Sequence, residues 1–128
     1  MRSSVQMLAD ATAQVEQITP QAASTEAASA PVVFLDVREP VEWEHHIQGA
    51  VQVPRGLLEF VADPASPKHN PELDPDSRVI VYCRSGTRAV LAAATLKELG
   101  FEHVANLDGG FAAWNAAGLP TDEHHAGI

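Results

Sequence analysis

Apolar and polar positions along the chain change period several times, and these changes divide it into helices and strands. Val5, Leu8, Ala9, Thr12 and Val15 recur at helical spacing and predict a short amphipathic helix from Ser4 to Val15. Thr19-Pro20 opens another, with threonine as N-cap and proline at the first helical position. The Ala/Ser/Thr-rich run that follows, 22–30, carries little pattern and reads as helix passing into linker. Val32-Val33-Phe34-Leu35 is a continuous apolar run with β-branched members, as in a strand buried on both faces. Val41 to His45 predicts a short helix begun by Pro40, Val51 to Pro54 a second short strand, and Leu57 to Val61 a brief helix. Asp63 to Ser77 holds four prolines and few apolar residues, which predicts a surface loop. Val79-Ile80-Val81-Tyr82 is the strongest strand signal. It runs straight into Cys83, and a helix follows from about Thr87 to Leu99, stopped by Gly100. His103-Val104-Ala105 predicts a strand, and Phe111, Trp114 and Ala117 mark a last helix closed by Gly118. Strands alternating with helices predict an α/β domain, a mainly parallel central sheet flanked by helices. There is no internal repeat and no second domain.

Composition adds exclusions. At 128 residues the chain is one domain in length, with 45% hydrophobic and 20% charged residues, an ordinary soluble balance. No apolar run approaches the roughly 18 residues that span a bilayer. The first dozen residues do not resemble a secretory signal, so a cytoplasmic location is expected, with no membrane partner. A formal charge of −9 argues against nucleic acid and anionic lipid as partners. Against that background Arg78, Arg84 and Arg88 fall within eleven positions around Cys83, an island of positive charge suited to a small anion. Arg78 stands at a strand start, so Arg84 and Arg88 carry the weight. A single cysteine excludes an internal disulfide and a cysteine-rich zinc site. The pairs His45-His46 and His124-His125 lack companion ligands, and no metal is expected; the second pair is assigned to a frayed tail. Trp43 and Trp114 read as core, and the acidic residues from Glu39 to Glu44 as a solvated helix face.

A lone cysteine is by default a small buried hydrophobe. Cys83 departs from that default through its neighbours. It stands at the carboxyl end of the strongest strand, where sites form in open α/β sheets, and immediately before a helix N-terminus. Unpaired N–H groups and partial positive charge at the helix end, with Arg84 and Arg88 nearby, favour a thiolate over a thiol. Gly86 lets the loop bend so that successive amides turn inward as an anion-binding nest. Ser85 and Thr87 either add hydroxyl donors to that nest or cap the helix.

Four segments together resemble the rhodanese superfamily. Leu35-Asp36-Val37-Arg38-Glu39 is similar to its first signature. His46-Ile47-Gln48-Gly49-Ala50 with Val53-Pro54 is similar to its second, and Val81-Tyr82-Cys83-Arg84-Ser85-Gly86-Thr87-Arg88 to its active loop. Asp108-Gly109-Gly110-Phe111-Ala112-Ala113-Trp114 through Gly118-Leu119-Pro120 is similar to the terminal signature. One departure is His45, where the family often has glycine, and it is expected to alter a turn. The resemblance covers residues 15–122, leaving 1–14 as a helical extension and 123–128 as a tail.

The resemblance implies the rhodanese three-layer α/β fold and a sulfurtransferase using thiosulfate-type donors, with Cys83 as the residue that becomes a persulfide. The loop residues Arg84, Ser85, Gly86, Thr87 and Arg88 would then bind the donor, with no metal or organic cofactor. The expected partners are a small anionic sulfur donor and a thiol or protein sulfur acceptor. Two residues of the first signature support the site. Asp36 is expected to play a structural part, for example holding Arg88. Arg38 is open between substrate steering and a salt bridge. Two rivals remain. A phosphatase or arsenate reductase on the same fold resembles Cys followed by five residues and Arg, whereas Arg88 is five positions after Cys83 and Ala89 follows it; this loop is one residue shorter. The other is a regulatory or partner-dependent sulfur-carrier module.

Overall fold

A computed structural model describes residues 1–123 of the chain. Five helices and seven strands follow one another as α1 (Ser4–Gln14), β1 (Glu16–Ile18), α2 (Pro20–Ser29), β2 (Val33–Asp36), β3 (His45–Ile47), β4 (Val51–Gln52), α3 (Leu58–Ala62), β5 (Arg78–Tyr82), α4 (Thr87–Glu98), β6 (His103–Leu107), α5 (Gly110–Ala116) and β7 (Thr121–Glu123). Five strands form one parallel sheet in the order β1-β6-β5-β2-β4. Phe34 lies beside Ile80 and Leu35 beside Val81, so the two most apolar strands of the sequence are neighbours at the sheet centre.

Side chains alternate across a strand, and the two cores follow that parity. Leu35, Val79 and Val81 face one side and pack against Leu58 and Ala62 of α3 and Ala89, Ala92, Ala93 and Leu96 of α4. Phe34, Ile80 and Tyr82 face the other, against Ala23 of α2 and Trp114 of α5, whose ring meets Phe34 edge-on at 5.2 Å. The same count places Cys83 on the α4 side and Tyr82 on the α5 side. Helix α1 packs on the outside of α4, with Ala11 buried and Lys97 Nζ donating to the Gln14 carbonyl at 2.6 Å.

Helix starts and long strands follow their local signals. Ser3 caps α1 in a reciprocal box with Gln6, and Thr19 caps α2 ahead of Pro20. Three short strands carry no signal of their own. β1 is held along β6, and β3 pairs only with β7, in an antiparallel ribbon outside the main sheet. Each takes its conformation from a distant partner. For this reason the expected helix from Val41 to His45 is a single 3-10 turn at Pro40–Glu42, after which the chain extends into β3 at His45. Trp43 is correspondingly only half-buried, its Nε1 donating to the Arg38 carbonyl at 3.1 Å, while Trp114 lies in the core as expected. β7 reaches Glu123, the first residue of the expected tail, and His124-His125 lie outside the described residues. Among the described residues no helix is long and apolar enough to cross a membrane.

Candidate active site

β5 is the central strand, and its carboxyl end delivers Cys83 to the edge of the core, 1% exposed. The next three residues bend back over the sulfur. Gly86 takes φ +117°, a conformation that L side chains rarely adopt, and in it the Gly86 amide donates to Cys83 Sγ at 3.1 Å. Helix α4 starts directly after. Its N-cap is Gly86 itself, with no side-chain hydrogen bond, so neither Ser85 nor Thr87 caps the helix. Both lie exposed on the loop, as does Arg84.

The loop rests on α5. The amides of Phe111 and Ala112 donate to the carbonyls of Cys83 and Arg84 at 2.8 and 3.0 Å. That approach requires glycine at 110: a Cβ there would lie 2.6 Å from both carbonyl oxygens, at φ +61°. Gly110→Ala is therefore expected to shift the active loop and cost about 2–4 kcal/mol, since backbone atoms on both sides must give way. Urea denaturation measures this, and an unchanged midpoint would contradict the contact.

The charged residues pair differently from the sequence expectation. Asp36 does not hold Arg88. It is fully buried and faces Arg38, whose Nε and Nη2 reach its carboxylate at 3.0 and 2.8 Å. Tyr82 adds its hydroxyl to Asp36 at 2.8 Å and accepts the Ile47 amide at 3.1 Å. Burial beside that carboxylate pushes the Tyr82 hydroxyl pKa upward, so it stays a neutral donor. Arg38 is 4% exposed, lies 4.6 Å from the Phe111 ring centre, and donates to the His45 carbonyl at 2.7 Å. Of the two readings of Arg38, the geometry supplies the salt bridge: the guanidinium ties Asp36 of β2 to the His45 carbonyl and lies over the rings of Tyr82 and Phe111.

Arg88 is held instead by Glu42, through two bonds of 2.8 and 3.1 Å. The acidic stretch read as a solvated face thus supplies a partner to the loop. Arg78 lies at the opposite end of β5, paired with Glu16 and Glu26, and does not contribute to the site. Of the three arginines in the positive island, Arg84 alone has no partner among the described residues. Beside the loop is a cavity of about 360 Å³ walled by Leu8 and Thr12 of α1, Gln17, Asn106, Asp108 and the loop residues Ser85 to Thr87. The N-terminal helix, which the sequence left as an extension, therefore borders the site.

A parallel α/β sheet ends its central strand in a cysteine, roofed by a glycine-bent loop and a helix start. The chain belongs to the rhodanese-like domain family, whose model matches residues 19–117. It is 36% identical over 106 residues to a sulfurtransferase of Allochromatium vinosum, covering 82% of this chain and 88% of that one. It is also 36% identical over 84 residues to the probable adenylyltransferase/sulfurtransferase MoeZ of Mycobacterium tuberculosis, of which the match spans only 20%. Among solved structures, a Rhodopseudomonas palustris protein of unknown function, described as a possible tyrosine phosphatase, superposes with a TM-score of 0.87. The two are 36% identical, and the match covers 95% of this chain and 96% of that one.

Proposed function

We propose that this protein is a sulfurtransferase that carries a sulfane sulfur as a persulfide on Cys83, taken from thiosulfate or a persulfide donor. The observation that carries this reading is the Gly86 amide aimed at Cys83 Sγ at the floor of a short loop. Family membership and the relative named sulfurtransferase support it. In the first step the Cys83 thiolate attacks the outer sulfur of thiosulfate, the S–S bond breaks, and its electron pair leaves on sulfite. The resulting persulfide keeps one negative charge, which the Gly86 amide and Arg84, without a partner among the described residues, would hold. In the second step a thiophile such as cyanide attacks the terminal sulfur, and the Cys83 thiolate is released with thiocyanate. No net oxidation or reduction is required. With no other cysteine in the chain, the sulfur passes to another molecule, a small thiol or a protein.

The phosphatase reading fits less well. A tetrahedral oxyanion needs a wider loop with its arginine turned inward, whereas Arg88 closes a shorter loop and points to Glu42. Exposure of the purified protein to thiosulfate or a persulfide should add about 32 Da, confined to the peptide containing Cys83, and cyanide should remove it as thiocyanate. Uptake without thiocyanate formation would mark a partner-dependent carrier, and no uptake from either donor would refute the proposal.

A further inference from the structure

The carboxylate that holds Arg88 also bears on which donors the loop admits. Glu42 is fixed from two sides. Its Oε1 accepts from Arg88 Nη1 at 2.8 Å and from the Glu39 amide at 3.0 Å, and its Oε2 accepts from Arg88 Nη2. The 3-10 turn that carries it is tied down in turn by Trp43, whose indole donates to the Arg38 carbonyl. The Arg88 guanidinium holds the Glu42 carboxyl at about 2, below its ordinary 4.5. A depressed carboxylate contributes its pairing fully above its ordinary value and loses it only as pH falls toward about 2, so the clasp stays charged and closed in any neutral assay.

The charges around the loop then nearly cancel. Arg88 is neutralised by Glu42, and Arg38 by Asp36. Arg84 is the one loop cation without a partner among the described residues. Two further carboxylates lie around the loop: Glu39, close enough to act on Arg88, and Asp108, exposed just past the end of β6 on the loop-side cavity. Thiosulfate brings two negative charges to this rim. A persulfide brings at most one, and none in the protonated form, R–S–SH, that reacts.

Resting on the sulfurtransferase reading, we propose that Glu42 is a specificity-determining residue that, by locking Arg88 in a neutral pair, turns the loop toward persulfide donors and away from dianionic thiosulfate. It acts through Arg88 and touches no reacting atom, so it is a positioning residue. The favoured step is balanced without any co-reactant: the Cys83 thiolate bonds to the outer sulfur of R–S–SH, the donor S–S bond breaks, and its pair leaves as R–S⁻. The proton remains on the new persulfide.

The test is the ratio of kcat/KM for thiosulfate to kcat/KM for the persulfide of 2-mercaptoethanol, with cyanide as acceptor. Glu42→Gln removes the charge but keeps a carbonyl for the Glu39 amide, and is expected to raise that ratio about tenfold by freeing the Arg88 charge. The gain should sit in KM for thiosulfate and shrink as ionic strength rises. Glu42→Asp, which retains the charge, should stay near the wild-type ratio. An unchanged or lowered ratio in Glu42→Gln, or an equal shift in Glu42→Asp, would overturn the proposal, the second outcome because it points to shape rather than charge. Wild-type protein that takes sulfur from neither donor would instead refute the sulfurtransferase reading itself.

Discussion

Cys83→Ser is expected to abolish sulfur uptake while leaving the fold in place. The side chain at 83 is almost fully buried and meets the Gly86 amide. A serine hydroxyl fits the same space and accepts the same hydrogen bond, so stability should change by no more than about 1 kcal/mol. Its chemistry differs in kind. A serine hydroxyl does not ionise as a thiol does, and no stable sulfur adduct forms on its oxygen. The increase of about 32 Da should disappear, and thiocyanate formation should fall to the rate without protein, a loss of about a thousandfold or more. Equal rates in Cys83→Ser and wild type, under conditions where both are folded, would place the chemistry elsewhere.

Arg38→Ala should be strongly destabilising while leaving Cys83 untouched. Exposed ion pairs contribute roughly 0–1 kcal/mol, and the Arg2–Asp10 pair at the N-terminus belongs to that class. The Arg38–Asp36 pair does not, because both side chains are at most 5% exposed. Removing the guanidinium leaves the Asp36 carboxylate in the core with only the Tyr82 hydroxyl and the residue-38 amide as partners. Stranding a buried charge in this way costs about 3–5 kcal/mol. The stack on Phe111 and the bond to the His45 carbonyl are lost as well. Arg38→Lys keeps the charge but not the two-pronged geometry and should recover only part of the loss. The urea midpoint measures both. In a cycle with Asp36→Asn the double mutant should lose less than the two single losses added together, since the second change removes the charge that the first strands. Additive losses would show that the two groups do not act as a pair.

Much of this molecule is legible from local sequence. The apolar runs at Val33–Leu35 and Val79–Tyr82, Thr19-Pro20, and Gly100 after a long helix each report a preference expressed within a few residues. Their elements formed within a residue or two of the expected bounds. The position of Cys83 between a buried strand and a helix start is legible for the same reason. β1, β3 and β7 were not, because partners distant in sequence supply hydrogen bonds that their own residues do not signal.

The pairing of charges lay further out of reach. Composition and the strand–Cys–Gly–helix order determined an acidic α/β domain with a cysteine at the carboxyl end of its central strand. Which of the arginines around it is without a partner among the described residues was decided only in three dimensions. Glu42 reaches Arg88, and Tyr82 reaches Asp36, each across 46 positions of sequence. Such pairs form because the parallel sheet brings the carboxyl ends of β2 and β5 side by side, in register from Val33–Val79 to Asp36–Tyr82. Charge attraction is strong at these distances but has no periodicity for a sequence to display. Among the described residues, Arg84 was left as the loop cation without a partner by that register, after the fold had assigned the others.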